Sequence, residues 1–259
     1  MESVWTALSV FWSGMWSFMA NSWLALLLSV IIAYLLGSIN WAIIITSVIS
    51  RRDIRREGSG NAGATNVLRT EGILPATLTA IGDVAKSVIA ALIGGWLLAH
   101  LNLTHAPEEL RTFAPDAAVL IGRYFAGFFC VLGHLFPVFY QFRGGKGVLA
   151  TLGMFVVLDW RIAVMCFFLF LVTVIISRTV SLGSVLAASY APVLTLVFRR
   201  WVDNMSLGAV IFCTVLSAMT AALVIWKHGS NMRRIAEGTE RRISLESVEP
   251  PKTEEPHEE

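Results

Sequence analysis

The sequence predicts an all-α fold: a polytopic membrane helix bundle of about seven transmembrane helices, N-terminus outside and C-terminus cytoplasmic. Three observations carry that expectation. Mean hydropathy is +0.68 and hydrophobic residues make up 56 % of the 259-residue chain. Charged residues make up only 15 %, against about a quarter in a soluble domain. The basic residues also collect behind every second apolar segment. The length suits one compact bundle, and the formal net charge of +2 says less than the placement of the charges. Membrane lipid is an expected partner and nucleic acid is not. Cys130, Cys166 and Cys213 all fall in apolar segments, with no spacing for a zinc site or a redox pair, so buried thiols are expected.

A spanning helix needs about 20 mainly apolar residues. Residues 1–21 are apolar but interrupted by Ser13, Gly14 and Ser17, and Trp5, Trp12 and Trp16 suit an interfacial helix. They lack the basic start and cleavage site of a signal peptide. The bundle proper is expected over 22–242, with spans at 22–49, 73–101, 116–139, 148–158, 162–176, 182–198 and 207–226. The fourth is short and starts inside a glycine-rich stretch. Residues 243–259 are rich in Glu and Pro and read as an acidic disordered tail. No internal repeat is evident, which weighs against an inverted-repeat transporter.

Arg51, Arg52, Arg55, Arg56 and Arg69 follow span one, Arg143 and Lys146 span three, and Arg178 span five. Lys227, Arg233, Arg234, Arg241 and Arg242 follow span seven, while the other side has Arg111, Arg161, Arg199 and Arg200. The richer side is cytoplasmic.

The unusual polar groups fall on that same side. The stretch Gly58-Ser59-Gly60-Asn61-Ala62-Gly63-Ala64-Thr65-Asn66-Val67-Leu68-Arg69 is flexible and dense in donors, which suits an anion, best a phosphate, at the membrane surface. Phe142-Arg143-Gly144-Gly145-Lys146-Gly147 sets glycine N–H groups beside an ammonium, again a phosphate pattern, though no Walker A motif. Ser38 by itself reads as a serine bonded to its own helix. Asp83 and Lys86 lie three residues apart on one helical face inside span two, where a structural ion pair is at least as good a reading as a catalytic one. His134 precedes a helix-breaking proline and suits a packed histidine. Ser177, Arg178 and Ser181 can clamp an anion, and Arg178 can also snorkel to headgroups. His228 and Asn231 end span seven about one helical turn apart.

Acid–base groups are scarce. There is no ordered Ser-His-Asp set, no HxxxxD pair and no carboxylate cluster for Mg²⁺. An activated substrate with a good leaving group fits this inventory, and a mixed anhydride losing phosphate qualifies.

Seven segments, in order, resemble the bacterial acyl-phosphate:glycerol-3-phosphate acyltransferase family, called PlsY. They are YLLGS at 34–38, GSGNAGATNVLR at 58–69, GDVAK at 82–86, GHLFP at 133–137, FRGGKGV at 142–148, SRTVSLGS at 177–184 and KHGSNMRRIAEGTE at 227–240. The resemblance implies a seven-helix bacterial inner-membrane enzyme whose site faces the cytoplasm. It implies acyl transfer from acyl phosphate to the 1-position of sn-glycerol 3-phosphate, giving lysophosphatidic acid and phosphate. Acyl-CoA and acyl carrier protein are not its direct donors, and no metal or organic cofactor is implied. Ser38, Arg55, Lys146 and His228 are the catalytic residues it points to. Gly58, Ser59, Asn61, Gly63, Thr65, Asn66 and Arg69 match its glycine-rich loop, expected to hold the donor phosphate. Gly144, Gly145, Ser177, Arg178 and Asn231, with Lys146 and His228, form a second anion cluster, expected to hold glycerol 3-phosphate.

The chain departs from that pattern at Asn40 and Ala62, each in place of a common proline, at Ser87 in place of glycine, and at Gly229-Ser230 in place of Arg-Glu. The expected reaction is direct transfer without an acyl-enzyme, a substrate phosphate taking the hydroxyl proton. A transporter of phosphorylated solutes and a non-catalytic scaffold for anionic lipid are the competing readings. The oligomeric state and acyl-chain preference are not readable from these residues.

Overall fold

A computed structural model describes residues 4–102 and 115–242. Arg111 and the expected acidic tail lie outside the described residues. Among the described residues all regular elements are helices: α1 (Val4–Ser38), α2 (Trp41–Ile49), α3 (Ala64–Glu71), α4 (Ile73–Asn102), α5 (Pro115–Leu135), α6 (Val148–Leu158), α7 (Trp160–Ser177), α8 (Val180–Val197), α9 (Leu207–Lys227) and α10 (Gly229–Ala236). Short 3₁₀ turns occupy Ile54–Arg56 and Val138–Tyr140, and a π turn follows α8 at Phe198–Val202.

Among the described residues, six stretches are long and apolar enough to cross a membrane: Ala20–Ile49, Ile73–Leu101, Ala118–Tyr140, Trp160–Ser177, Val180–Val202 and Leu207–Lys227. The segment expected as a further span is α6, an apolar helix of 11 residues. It is about 16 Å long, roughly half of a hydrocarbon core. Helix α1 has 35 residues and extends about 52 Å, so the Trp-bearing stretch expected at the interface is helically continuous with the first span.

That first span corrects one expectation. Residues 22–49 do not form a single helix: α1 ends at Ser38 and α2 begins at Trp41. Two side chains stabilise the break. Asn40 caps α2, its Oδ1 accepting the Ile43 N–H at 3.1 Å. Lys86 Nζ donates to the carbonyls of Gly37 at 3.1 Å and Ile39 at 2.7 Å. A cation placed on open carbonyls at a helix C-terminus is favourable, and here it is buried.

Helices α1, α4 and α5 pack mutually, α6 inserts against α4 and α5, and α7, α8 and α9 complete the bundle, α9 also touching α5. The α1–α5 crossing is close because both helices present glycine. A Cβ on Gly37 would fall on the Cys130 carbonyl, and one on Gly133 on the Tyr34 carbonyl. The largest core group joins Tyr124, Met154, Phe155, Leu158, Ile162 and Leu194 from α5 to α8. Outward faces are apolar too: Phe168, Ile175 and Ile176 of α7 are exposed, as a lipid-facing surface requires. All three cysteines are free and buried, as their apolar surroundings predicted.

At the end of the bundle away from the glycine-rich loops, Arg161 and Arg199 are paired rather than lone topogenic charges. Asp159 caps α7 by accepting the Arg161 N–H and pairs with both arginines, at 2.6 Å and 3.0 Å. Asp203 pairs with both as well, at 2.9 Å and 2.5 Å.

Candidate active site

Four connections meet at the other end of the bundle. Their hydrogen bonds show how a sequence of separate motifs becomes one site. The turn Val138–Tyr140 receives two of the residues singled out from the sequence. Ser38 Oγ donates to the Tyr34 carbonyl at 2.8 Å and accepts the Val138 N–H at 3.3 Å. Arg55 Nη1 donates to the Tyr140 carbonyl at 2.9 Å. Ser38 and Arg55 thus secure the two ends of one short turn. Arg55 is itself held by Asp53, whose carboxylate accepts from Nε at 2.9 Å and Nη2 at 2.8 Å while capping the 3₁₀ turn through the Arg55 N–H. The hydrogen bond from Arg55 holds the Asp53 carboxyl below the usual range, and Asp53 in turn raises the guanidinium pKa.

The glycine-rich loop is organised from within. Asn66 Oδ1 accepts the Ser59 N–H at 2.8 Å, and its Nδ2 donates to the carbonyls of Glu57 at 3.0 Å and Ile54 at 3.2 Å. The Asn66 amide and the Ser59 N–H, expected as anion donors, are therefore committed to the loop. Gly58, at φ +57°, leaves room for the Asn66 side chain. The side chains of Asn61, Thr65 and Arg69 make no hydrogen bond or ion pair among the described residues, and they are the loop's open donors. Gly63 caps α3, and its N–H is committed to the Asn61 carbonyl at 3.0 Å.

The second loop packs directly on the first. Gly145 lies against the Ala62 carbonyl and the His134 ring, with no space for a side chain. Its N–H donates to the His134 carbonyl at 3.2 Å, so this expected anion donor is also committed. Gly144 lies as tightly against the His134 backbone. Beneath them His134 Nδ1 is 2.9 Å from Lys86 Nζ and 3.4 Å from Asp83 Oδ1, and Lys86 and Asp83 pair at 2.9 Å. The ion pair that the spacing suggested is formed, and through Lys86 and His134 it reaches the break after α1 and the floor of the glycine loop.

Lys146 reaches the other way. Its Nζ donates to Asn231 Oδ1 at 2.5 Å. Asn231 Nδ2 donates to Ser181 Oγ at 2.8 Å and to Glu240 Oε1 at 2.6 Å. Ser181 Oγ donates to the same Glu240 oxygen at 2.7 Å, and Arg234 Nε to the other at 2.7 Å. Burial pushes the Lys146 ammonium down to about 8, with Glu240 opposing the shift. Burial tends to raise Glu240, but hydrogen bonds from Asn231, Ser181 and Arg234 hold it below its ordinary value. Arg69 stands within electrostatic range of Lys146, Glu240 and Arg241, so the loop and the second cluster face each other. Burial also pushes His228 down to about 4, against the opposing bond to Val224. Its Nδ1 lies 2.8 Å from the Val224 carbonyl, which can only accept. Nδ1 therefore carries the proton, and Nε2 is a free acceptor.

Two expected residues stand apart from this network. Ser177 Oγ donates to the Thr173 carbonyl and accepts the Thr179 N–H, closing α7. Arg178 is exposed at φ +57° and makes no ion pair among the described residues.

The family model for glycerol-3-phosphate acyltransferase matches residues 27–238. The chain belongs to the glycerol-3-phosphate acyltransferase family. A glycerol-3-phosphate acyltransferase of Coxiella burnetii is 36% identical over 222 residues, covering 86% of this chain and 100% of the relative. One from Cereibacter sphaeroides is 39% identical over 220 residues, covering 85% and 90%. The fold agrees with a crystal structure of PlsY (YgiH), an integral membrane glycerol 3-phosphate acyltransferase, in its glycerol 3-phosphate form. The TM-score is 0.66 at 33% identity, over 85% of this chain and 96% of that one. The lysophosphatidic acid form of PlsY gives 0.64 at 32% identity, over 85% and 95%.

Within this acyltransferase family member the departures from pattern have structural places. Asn40 supplies a cap, and its Nδ2 is 3.5 Å from the Ala62 carbonyl. Ser87 Oγ lies 3.4 Å from Cys130 Sγ. Gly229 and Ser230 are exposed, and open space surrounds the Gly229 Cα. The carboxylate in the cluster is instead Glu240, which sequence reasoning included in a motif without giving it a role. Asp53 was missed outright. Its signal was present: Asp-x-Arg occurs at 53–55 and again at 159–161, and both aspartates cap a turn and pair with the arginine two residues on.

Proposed function

We propose that this glycerol-3-phosphate acyltransferase takes its acyl group from an acyl phosphate and delivers it to the 1-hydroxyl of sn-glycerol 3-phosphate, releasing lysophosphatidic acid and phosphate. The observation that carries this reading is the imbalance at the site. Lys146, Arg69, Asn61 and Thr65 offer cationic and neutral donors, while the histidine beside them is held neutral by burial. A donor that brings its own leaving group and its own base suits such a site.

In this mechanism the glycerol 3-phosphate hydroxyl oxygen bonds to the acyl carbon. The bond from that carbon to the phosphate oxygen breaks, and phosphate leaves with the electron pair. The hydroxyl proton passes to a phosphate oxygen, whose second pKa is near neutrality. Lys146, aimed by Asn231, holds the phosphate of glycerol 3-phosphate, and Arg178, outside that network, offers a second cation. Asn61, Thr65, Arg69 and the first turn of α3, which Gly63 caps, hold the donor phosphate. His228 Nε2 accepts from a substrate hydroxyl. Ser38 and Arg55 act by fixing the Val138–Tyr140 turn, while Gly58, Ser59, Asn66, Gly144, Gly145 and Ser177 shape the loops.

In the same reading α6 counts as a seventh membrane segment. The N-terminus lies outside, and the site and C-terminus face the cytoplasm from a bacterial inner membrane. Residues 1–21 sit at the outer interface. The excess of basic residues in the four connections at the site supports this orientation.

The test is an acylation assay on purified protein with palmitoyl phosphate and radiolabelled glycerol 3-phosphate, with palmitoyl-CoA and Lys146→Ala as controls. Lysophosphatidic acid forms from the acyl phosphate alone and is lost in the variant. Equal product from palmitoyl-CoA would overturn the donor assignment.

A further inference from the structure

We propose that Arg123 of α5 anchors an anionic phospholipid at the end of the bundle away from the candidate active site, with the lipid headgroup seated beyond the last turn of α6. Such a site lies outside the acyl-transfer machinery and is independent of the donor assignment above.

Arg123 lies inside the span Ala118–Tyr140, where an ionisable side chain is costly unless something pairs with it. It makes no hydrogen bond or ion pair among the described residues. Its stem lies over Gly95 of α4: a Cβ there would fall 2.9 Å from Cγ and 3.2 Å from Nε. Nε is enclosed without an acceptor, so the side chain is held in the α4–α5 seam rather than free to swing into water. The residue as a whole is only partly buried, which leaves the two Nη groups to face outward. The described carboxylates at this end are already used. Asp159 and Asp203 each pair with both Arg161 and Arg199, and Arg200 is a further exposed cation. An anion for Arg123 therefore comes from outside the described residues.

The bilayer supplies it because α6 is short. A Cβ on Gly127 would meet the Met154 side chain, so α5 and α6 touch there. Arg123 is one helical turn outward of Gly127 on the same face, and α6 ends at Leu158, one turn outward of Met154. Helix α4 runs well past that point. It touches α6 where Val84 meets Gly153. Gly95 lies about 16 Å farther along α4, whereas α6 continues only about 8 Å beyond Gly153. Beyond Leu158 the α4–α5 seam loses its cover from α6, and Arg123 stands at that edge. Exposed tryptophans mark the same region: Trp96 follows Gly95, and Trp160 opens α7 just after α6. Tryptophan favours the depth of lipid headgroups, which brings a phosphate within reach of the guanidinium. Arginine offers paired N–H donors for phosphate oxygens, and its charge favours anionic over neutral lipid.

The experiment is native mass spectrometry of the purified full chain in detergent, titrated with dioleoylphosphatidylglycerol or dioleoylphosphatidylcholine. Wild type is compared with Arg123→Gln and with Arg200→Gln, which removes the same charge from an exposed position at the same end. Wild type binds its first phosphatidylglycerol more tightly than its first phosphatidylcholine. Arg123→Gln weakens that first phosphatidylglycerol about fivefold, and Arg200→Gln leaves it in place. Equal affinity in wild type and Arg123→Gln, or equal weakening in both variants, would overturn the site. A second readout on wild type serves where Arg123→Gln fails to fold. Modification of Arg123 by phenylglyoxal, followed by peptide mass, is slowed by phosphatidylglycerol and not by phosphatidylcholine. No difference between the two lipids would place anionic lipid elsewhere and remove Arg123 as its anchor.

Discussion

Lys146 and Asn231 are 85 positions apart in the chain, yet the lysine ammonium donates to the asparagine carbonyl at 2.5 Å. That contact joins the glycine-rich turn before α6 to the helix that follows α9. It also ties Lys146 to Ser181 and Glu240 through the other face of the Asn231 amide. The cation is aimed by a network that leaves its remaining N–H donors for a substrate oxygen.

Burial brings Lys146 down to about 8, so its charge is present at neutral pH and is lost just above it. A phosphate dianion favours the charged form, so affinity falls as pH rises through that value. The KM for glycerol 3-phosphate climbs above pH 8, by up to about tenfold per pH unit. Lys146→Arg, whose charge persists, flattens that limb. Initial rates between pH 6 and 10 check both statements; an unchanged KM in wild type would remove Lys146 from phosphate binding.

His228 makes the opposite prediction on the acid side. Burial keeps it neutral down to about pH 4, so it contributes no inflection near pH 6. An acid limb near 6 belongs instead to a substrate phosphate, with a second pKa of about 6. His228→Gln lowers kcat by about 10²-fold or more and leaves the midpoint of that limb in place. Disappearance of the limb in the variant would make His228 the titrating base.

Glu240 raises the Lys146 pKa through its charge and holds Ser181 and Asn231 through one oxygen. Glu240→Gln keeps an acceptor oxygen and removes the charge. The alkaline limb of KM then moves to lower pH. Glu240→Ala also frees Ser181 and Asn231, and lowers kcat/KM by about tenfold to a hundredfold through misplacement of Lys146. Matched pH profiles of the two variants separate charge from position.

The legible part of this structure was what composition and charge placement dictate: helices throughout, apolar outer faces, and polar motifs collected at one end. The Asp83–Lys86 pair was legible from its spacing. Which donors stay open was not. Asn66 and Gly145 look like ligand groups in a line of letters, but folding turns the first onto the carbonyls of its own loop and the second onto His134. The break after Ser38 was hidden because the side chain that stabilises it, Lys86, comes from another helix. Burial of α6 as a half-length helix depends likewise on neighbours that hydropathy does not see.

Lys86 offers the stability test. Its ammonium is almost fully buried and touches the Gly37 and Ile39 carbonyls, Asp83 and His134. Removing it alone leaves the Asp83 carboxylate without its closest counter-charge and two carbonyls without a donor. Lys86→Met is therefore expected to destabilise by about 3–5 kcal/mol. Asp83→Asn removes the charge that would be stranded, so adding it to Lys86→Met recovers part of that loss. The carbonyls at the helix break still lack a donor, so recovery stays incomplete. Thermal unfolding of the purified protein in detergent, read as a double-mutant cycle, gives the coupling directly. Additive losses would mean the two residues stabilise the break independently, contrary to the 2.9 Å pair seen between them.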